Sequence, residues 1–217
     1  MKNLLVKECR LAAATITYFF LAAGLLTLIP GYPILMGVFF TCLGIFYSFQ
    51  TMRENRDIEY SMLLPVSKAE VVKGKFLFVM LLEGCSFLVM ALVTVVRMTA
   101  LKNVEAYLTN PLMSANPAFL GWALVLFGLF NLVFLRGFFR TGYYIGKPFV
   151  LFCVCAFVLT GVAEALPHVP GLEALNVPGP AYAGTQAAAL AAGLAAYALM
   201  TWAAIRGSIR SFEKIDI

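Results

Sequence analysis

Charge is scarce in this chain. Of its 217 residues only 12% are Asp, Glu, Lys or Arg, about half the share of an ordinary soluble domain. Hydrophobic residues make up 62%, and the mean hydropathy is +0.89. A soluble fold of this length cannot hide so much apolar surface. The composition therefore excludes an ordinary soluble enzyme, a disordered region and a nucleic-acid-binding module. Histidine is nearly missing too. His168 stands alone in a proline-rich stretch, so a catalytic triad, a zinc site or a histidine proton relay would rest on one side chain. No G-x-S-x-G, H-E-x-x-H or Walker A pattern is present, and Gly74-Lys75 and Gly146-Lys147 are bare pairs without the phosphate-loop spacing. No catalytic residue and no metal ligand is expected, and the chain is not expected to act as an enzyme. Cys9, Cys42, Cys85, Cys153 and Cys155 lie in apolar or cytoplasmic positions, where small buried hydrophobes are their ordinary role.

What the sequence has in abundance is long apolar runs. Six stand out, at about 11–29, 34–51, 76–96, 118–135, 149–166 and 185–205. At 1.5 Å per helical residue each spans roughly 27–31 Å, the thickness of the hydrocarbon layer. The spacing predicts an all-α polytopic membrane protein with six transmembrane helices, in one transmembrane domain over 1–217. Pro30-Gly31-Tyr32-Pro33 supplies a tight turn between the first two runs, and the stretch from Pro167 to Pro180 reads as a loop. Basic residues divide unevenly between the sides. Fourteen fall on the side of both termini and of the loops near residues 53–75 and 136–147, against Arg97 and Lys102 opposite. The positive-inside rule then places both termini in the cytoplasm.

The most informative segment is the cytoplasmic loop 53–75. Met62-Leu63-Leu64-Pro65-Val66 is an apolar run between charged flanks, and such a run needs a membrane surface or another protein to cover it. Ser67-Lys68-Ala69-Glu70 is a capping box. Pro65 disfavours helix at Leu64. One segment should therefore end near Leu64 and a new helix start at Lys68.

An acidic run, then Leu-Pro-Val-Ser-Lys, then Glu-Val-Val and Gly-Lys before a span, resembles the permease subunits of type-2 ATP-binding-cassette exporters. It is most similar to the small six-span permeases of bacterial peptide and antibiotic exporters. The resemblance implies a subunit of the bacterial plasma membrane, surrounded by its lipids and with no nucleic-acid partner. It also implies pairing with a second permease, the same or different. Separate ATP-binding-cassette ATPase subunits would dock below and hold ATP and Mg2+, leaving this chain without a cofactor. Carried over by position, Glu54, Asp57, Glu59, Leu64, Pro65, Ser67, Lys68, Glu70 and Lys75 would form the ATPase-coupling region. Residues 1–10, with Leu4, Leu5 and Val6 beside Lys2, Lys7 and Arg10, would form a short amphipathic interfacial helix.

Few polar groups lie within the spans. Glu83 sits about seven residues into the third, roughly 10 Å from its cytoplasmic end. Placing a charge there costs a few kcal/mol. It suits a pathway-lining or inter-subunit role, a contact with Lys75, Arg53 or a tail residue, or a protonated acid. Arg97 and Glu164 end the third and fifth spans on the outer side at similar depth, which allows an outer ion pair. Small residues recur at Ala188, Ala192 and Ala196, at Ala189 and Gly193, and at Gly37 and Gly44. Such stripes serve internal helix packing or a twin subunit.

The reading that follows is a permease subunit moving hydrophobic or amphipathic cargo, peptides or antibiotics, out of the cell. An ATP-independent transporter or channel, or a membrane immunity or interaction protein, is the alternative.

Overall fold

A computed structural model describes residues 2–12, 14–177 and 182–215, and their regular structure is helical throughout. Met1 of the expected interfacial helix, and Pro178 to Pro180 of the expected outer loop, lie outside the described residues.

The first apolar run is not one straight helix. Helix α1 (Lys2–Lys7) runs into a π-helical turn (Glu8–Ala12), and α2 (Thr15–Leu21) then tightens into a 3-10 turn (Ala22–Leu28). The pieces Leu4–Arg10 and Thr15–Leu28 are bent by 93° to each other. Neighbouring groups replace the helix bonds lost at the bend. Ala14 N–H donates to Ser48 Oγ at 3.1 Å, and the Thr17 hydroxyl donates to Gly44 O at 2.6 Å.

Pro30 and Pro33, with Gly31 at a φ of 74°, make the expected turn into α3 (Met36–Glu54). A short α4 (Asp57–Met62) follows a left-handed Arg56 at a φ of 51°. Helix α5 (Lys68–Thr99) begins at Ser67, and the capping box forms. Glu70 N–H donates to Ser67 Oγ at 3.2 Å, and Ser67 N–H donates to Glu70 Oε2 at 2.9 Å. At 32 residues, α5 is about 48 Å long and outreaches a hydrocarbon layer of about 30 Å.

After α6 (Glu105–Leu108), Asn116 caps α7 (Pro117–Phe130), which opens into a π turn (Asn131–Leu135) and continues as α8 (Arg136–Phe139). Helices α9 (Gly146–Ala165) and α10 (Ala183–Phe212) complete the bundle. Four stretches are long and apolar enough to cross a membrane: Lys68–Thr99, Pro117–Phe139, Gly146–His168 and Ala183–Phe212. The bent first pair makes a fifth candidate. Helix α3 has 19 residues but ends on Gln50, Arg53 and Glu54, which dilute its apolar run. The fold is thus an all-helical membrane bundle with four to five clear spans where the sequence pattern reads six.

The α7–α8 rod is the centre of the bundle, and α9 and α10 flank it with mostly exposed faces. Lipid is as apolar as a leucine side chain, so close packing holds these helices together rather than exclusion of water. Aromatic rings supply much of that packing. Phe46 of α3 stacks on Phe149 of α9 at 4.0 Å, and Phe49 meets Phe138 edge-on at 5.0 Å. Such ring pairs add about 0.5–1.5 kcal/mol each beyond the area they bury.

Candidate functional site

The residues expected to couple to an ATPase separate into two groups. Glu54, Glu59, Leu64, Pro65, Ser67 and Glu70 are exposed, and Lys68 is half-buried, with its ammonium on the Ile215 carbonyl. Asp57 and Lys75 are buried, and so cannot touch a docked protein directly. The reason is an ion cluster beneath the loop. Lys75 Nζ is fully buried and pairs with Asp57 Oδ2 at 2.5 Å and with Glu8 Oε2 at 3.0 Å. Lys7 Nζ closes the ring on Asp57 Oδ1 at 2.8 Å and Glu8 Oε1 at 3.3 Å. It also donates to Ser61 Oγ at 2.6 Å, while the Ser61 hydroxyl donates back to the Asp57 carbonyl at 2.7 Å. Two cations and two anions thus join α1, α4 and α5 as a neutral unit.

The local sequence explains this placement. Leu4 and Glu8, one turn apart, share the buried face of the N-terminal helix, as residues spaced by four do. Gly74 leaves room for Leu4, whose Cβ lies 3.4 Å from where a Gly74 Cβ would stand. Asp57 and Ser61 hold the same four-residue relation on α4. The inner face of α4, where Ile58 is buried beside Asp57 and Ser61, is therefore tethered. Its outer side presents two large apolar residues beside Glu59: Tyr60 and Leu63 are 71% and 81% exposed. Neither belongs to the coupling set that the resemblance implies, although Leu63 lies in the apolar run 62–66 that needs a covering surface. Tyr60 carried no such mark, and the tether shows which side faces out.

Burial opposes the charged form of Asp57, but Lys75 and Lys7 outweigh it and hold its carboxyl below the usual carboxylate range. A carboxylate whose folded-state pKa is depressed stabilises the fold above its unfolded pKa, and that stability is lost as pH falls through the folded value. Acidification through and below the ordinary aspartate range is therefore expected to loosen α4 first. Hydrogen exchange of the 57–62 amides against pH measures it, and Asp57→Asn should flatten that profile. On the surface, the Ser67 N–H and hydroxyl hold the Glu70 carboxyl below its ordinary value, the signature of a cap.

The bundle interior holds a second polar cluster. Glu83 is buried, and its Oε2 accepts from Tyr197 Oη at 2.7 Å and from Asn131 Nδ2 at 3.1 Å. Asn131 Nδ2 also reaches Thr201 Oγ1 at 3.1 Å. The cluster thus ties α5, the π turn after α7, and α10. Among the described residues, Lys75, Arg53 and the tail, raised from sequence as partners for Glu83, do not contact it. Lys75 lies two turns away and is taken by Glu8 and Asp57. Asn131, Tyr197 and Thr201 carried no sequence signal, since each is an uncharged polar residue within a long apolar run.

The outer pair does not form. Arg97 Nη1 donates to the Thr27 carbonyl at 2.9 Å, and its guanidinium stacks over the Tyr107 ring at 4.3 Å. Glu164 Oε2 accepts from Met113 N–H at 2.7 Å. Similar depth did bring both groups to the outer rim. Each found a backbone group near a helix end or loop in place of a charged partner, although Glu164 Oε1 is left without a hydrogen bond among the described residues.

A family model described as ABC-2 family transporter protein matches residues 3–213. No curated protein and no solved structure matches the chain.

Proposed function

The chain belongs to the ABC-2 family of transporter proteins, and from that premise we propose that it is the permease subunit of an ATP-driven exporter of the bacterial plasma membrane. Two copies, or this chain and a second permease, enclose a pathway for hydrophobic or amphipathic cargo such as peptides or antibiotics. Separate ATPase subunits bind ATP and Mg2+ and supply the work. The segment Thr15–Leu28 and α3 serve as the first two of six crossings, α1 lies along the cytoplasmic membrane surface, and both termini are cytoplasmic.

One observation carries the coupling part of this reading: the exposed apolar tip of α4 stands on a buried ionic base. Tyr60, Leu63 and Leu64 protrude, as the anchor residues of an interface do before a partner covers them. The base fixes α4 to both α1 and the start of α5. A partner that moves the tip thereby moves the end of a 32-residue helix. Closure of the ATPases on ATP would push α4, and α5 would pass the displacement into the bundle.

The test is a tip variant that spares the base. Leu63→Asp is expected to leave the thermal unfolding midpoint unchanged, since an exposed substitution costs within about 0.5 kcal/mol. Recovery of the ATPase with the affinity-tagged chain should fall about 30-fold, which is about 2 kcal/mol and the loss of one interface anchor. Undiminished recovery with Leu63→Asp and with Tyr60→Ala would contradict docking at α4.

A further inference from the structure

The Glu83 cluster has unspent acceptor capacity. Both of its hydrogen bonds go to Oε2. Oε1 is buried with no partner among the described residues, and so is Asn131 Oδ1, the other oxygen of the same cluster. No Lys, Arg or His lies within ion-pair distance of Glu83 among the described residues. A buried carboxylate left half-satisfied in an apolar bundle calls for a donor, and for a positive one if it is charged. Two acceptors in one cluster suit a group with several N–H donors better than a single hydroxyl.

Beside Glu83 lies a cleft of about 210 Å³, lined by Met80, Gly84, Phe87, Leu124 and Phe127 together with Glu83 and Tyr197. Its walls are apolar except at the acid. Inorganic cations are a poor fit, because they require about six oxygens in place of their hydration shell. An anion would meet the carboxylate. A positive head on an apolar stem matches both parts: the carboxylate takes the head, while Met80, Phe87 and Phe127 cover the stem, with the phenyl faces favouring a nearby cation. The π turn that begins at Asn131 is a second sign, since such turns recur at functional positions within helices.

We propose that the cleft beside Glu83 is a binding subsite for the primary ammonium group of an amphipathic ligand, held by the Glu83 carboxylate with its alkyl stem in the cleft. That this ligand is cargo rests on the exporter reading; the subsite itself does not. An amphipathic cation passing between permease subunits would be held here by charge at mid-depth, and a neutral molecule of the same shape would not.

The full chain in phosphatidylcholine nanodiscs tests this with two probes, a dodecylamine and a dodecanol that each carry a diazirine on the alkyl chain. After irradiation, labelled residues are mapped by mass spectrometry. The amine should label Met80, Phe87 or Leu124 saturably, be displaced by plain dodecylamine, and exceed the alcohol about tenfold, the preference a charge-assisted hydrogen bond gives. Glu83→Gln should abolish that preference. Gly84→Leu fills the cleft while leaving the partners of Glu83 in place, because a Cβ at Gly84 meets nothing within 4 Å. It should block labelling even where Glu83→Gln fails to fold.

Equal labelling by amine and alcohol, or amine labelling unaffected by Glu83→Gln or Gly84→Leu, would overturn the subsite and leave Glu83 as a structural acid beside an apolar crevice. ATPase recovery with the tagged chain is scored separately. An ATPase recovered without amine preference rejects the subsite and keeps the exporter. Amine preference without a recovered ATPase keeps the subsite and rejects the exporter.

Discussion

Replacing Lys75 by methionine is expected to destabilise the protein by about 3–5 kcal/mol, the cost of breaking a buried ion cluster from one side. Lys75 is fully buried, and it is the cation that contacts both Glu8 and Asp57 from within the fold. Methionine fills nearly the same volume and would sit beside Met52, whose sulfur lies 3.4 Å from the ammonium. Packing therefore changes little. What changes is that two buried carboxylates share only Lys7, which is itself partly open to solvent.

The comparison that isolates charge from shape is the double variant Asp57→Asn, Lys75→Met, which leaves Lys7 and Glu8 as a neutral pair. It should recover much of the loss, because groups removed together leave no uncompensated charge. Thermal unfolding in detergent, scored as a mutant cycle, measures both. A loss below about 1 kcal/mol for Lys75→Met would mean that the cluster behaves like an exposed pair, and the rigid link from α4 to α5 would fail with it.

The second large effect lies where α7 and α10 cross. A Cβ on Gly193 would stand 2.3 Å from the Gly121 carbonyl oxygen, and one on Gly121 would stand 2.6 Å from the Ala189 oxygen. These are backbone atoms, which cannot swing aside as a side-chain end can. Gly193→Val should therefore force the helices apart and cost about 3 kcal/mol, the upper range for an overpacked core. Ala192→Val, one position earlier on the exposed side of α10, should stay within about 0.5 kcal/mol. Equal behaviour of the two would mean that α10 is rotated from the orientation described. The pair also separates the two small-residue stripes of this helix. Ala189 and Gly193 serve internal packing, whereas Ala188 and Ala192 lie exposed.

Much of the bundle was legible because its signals are local. The turn at Pro30-Gly31 and the capping box at Ser67 each reside in a few adjacent residues and form as expected, and four of the six apolar runs lead to helices long and apolar enough to cross a membrane. The 93° bend after α1 was not legible. It accompanies contacts with α3 that are distant in sequence: Ser48 Oγ accepts from the Ala14 N–H, and the Gly44 carbonyl accepts from the Thr17 hydroxyl. Glu8, Asp57 and Lys75 were hidden for a related reason. They are far apart in sequence, and a lysine at the head of a helix beside a charged loop has no mark that distinguishes burial from solvent. Glu83 announced itself as a lone acid in an apolar run. Its partners did not, because one Asn, one Tyr and one Thr are unremarkable in such helices until packing brings them together.

The exposed tip of α4 is where the transport reading meets the structure most directly. A photo-reactive amino acid placed at Leu63, irradiated in native membranes and followed by mass spectrometry of the crosslinked product, addresses it. The account predicts a soluble ATP-binding-cassette ATPase as the dominant adduct, lost when Tyr60 is also changed to alanine. Adducts only to lipid, or only to this chain, would contradict it.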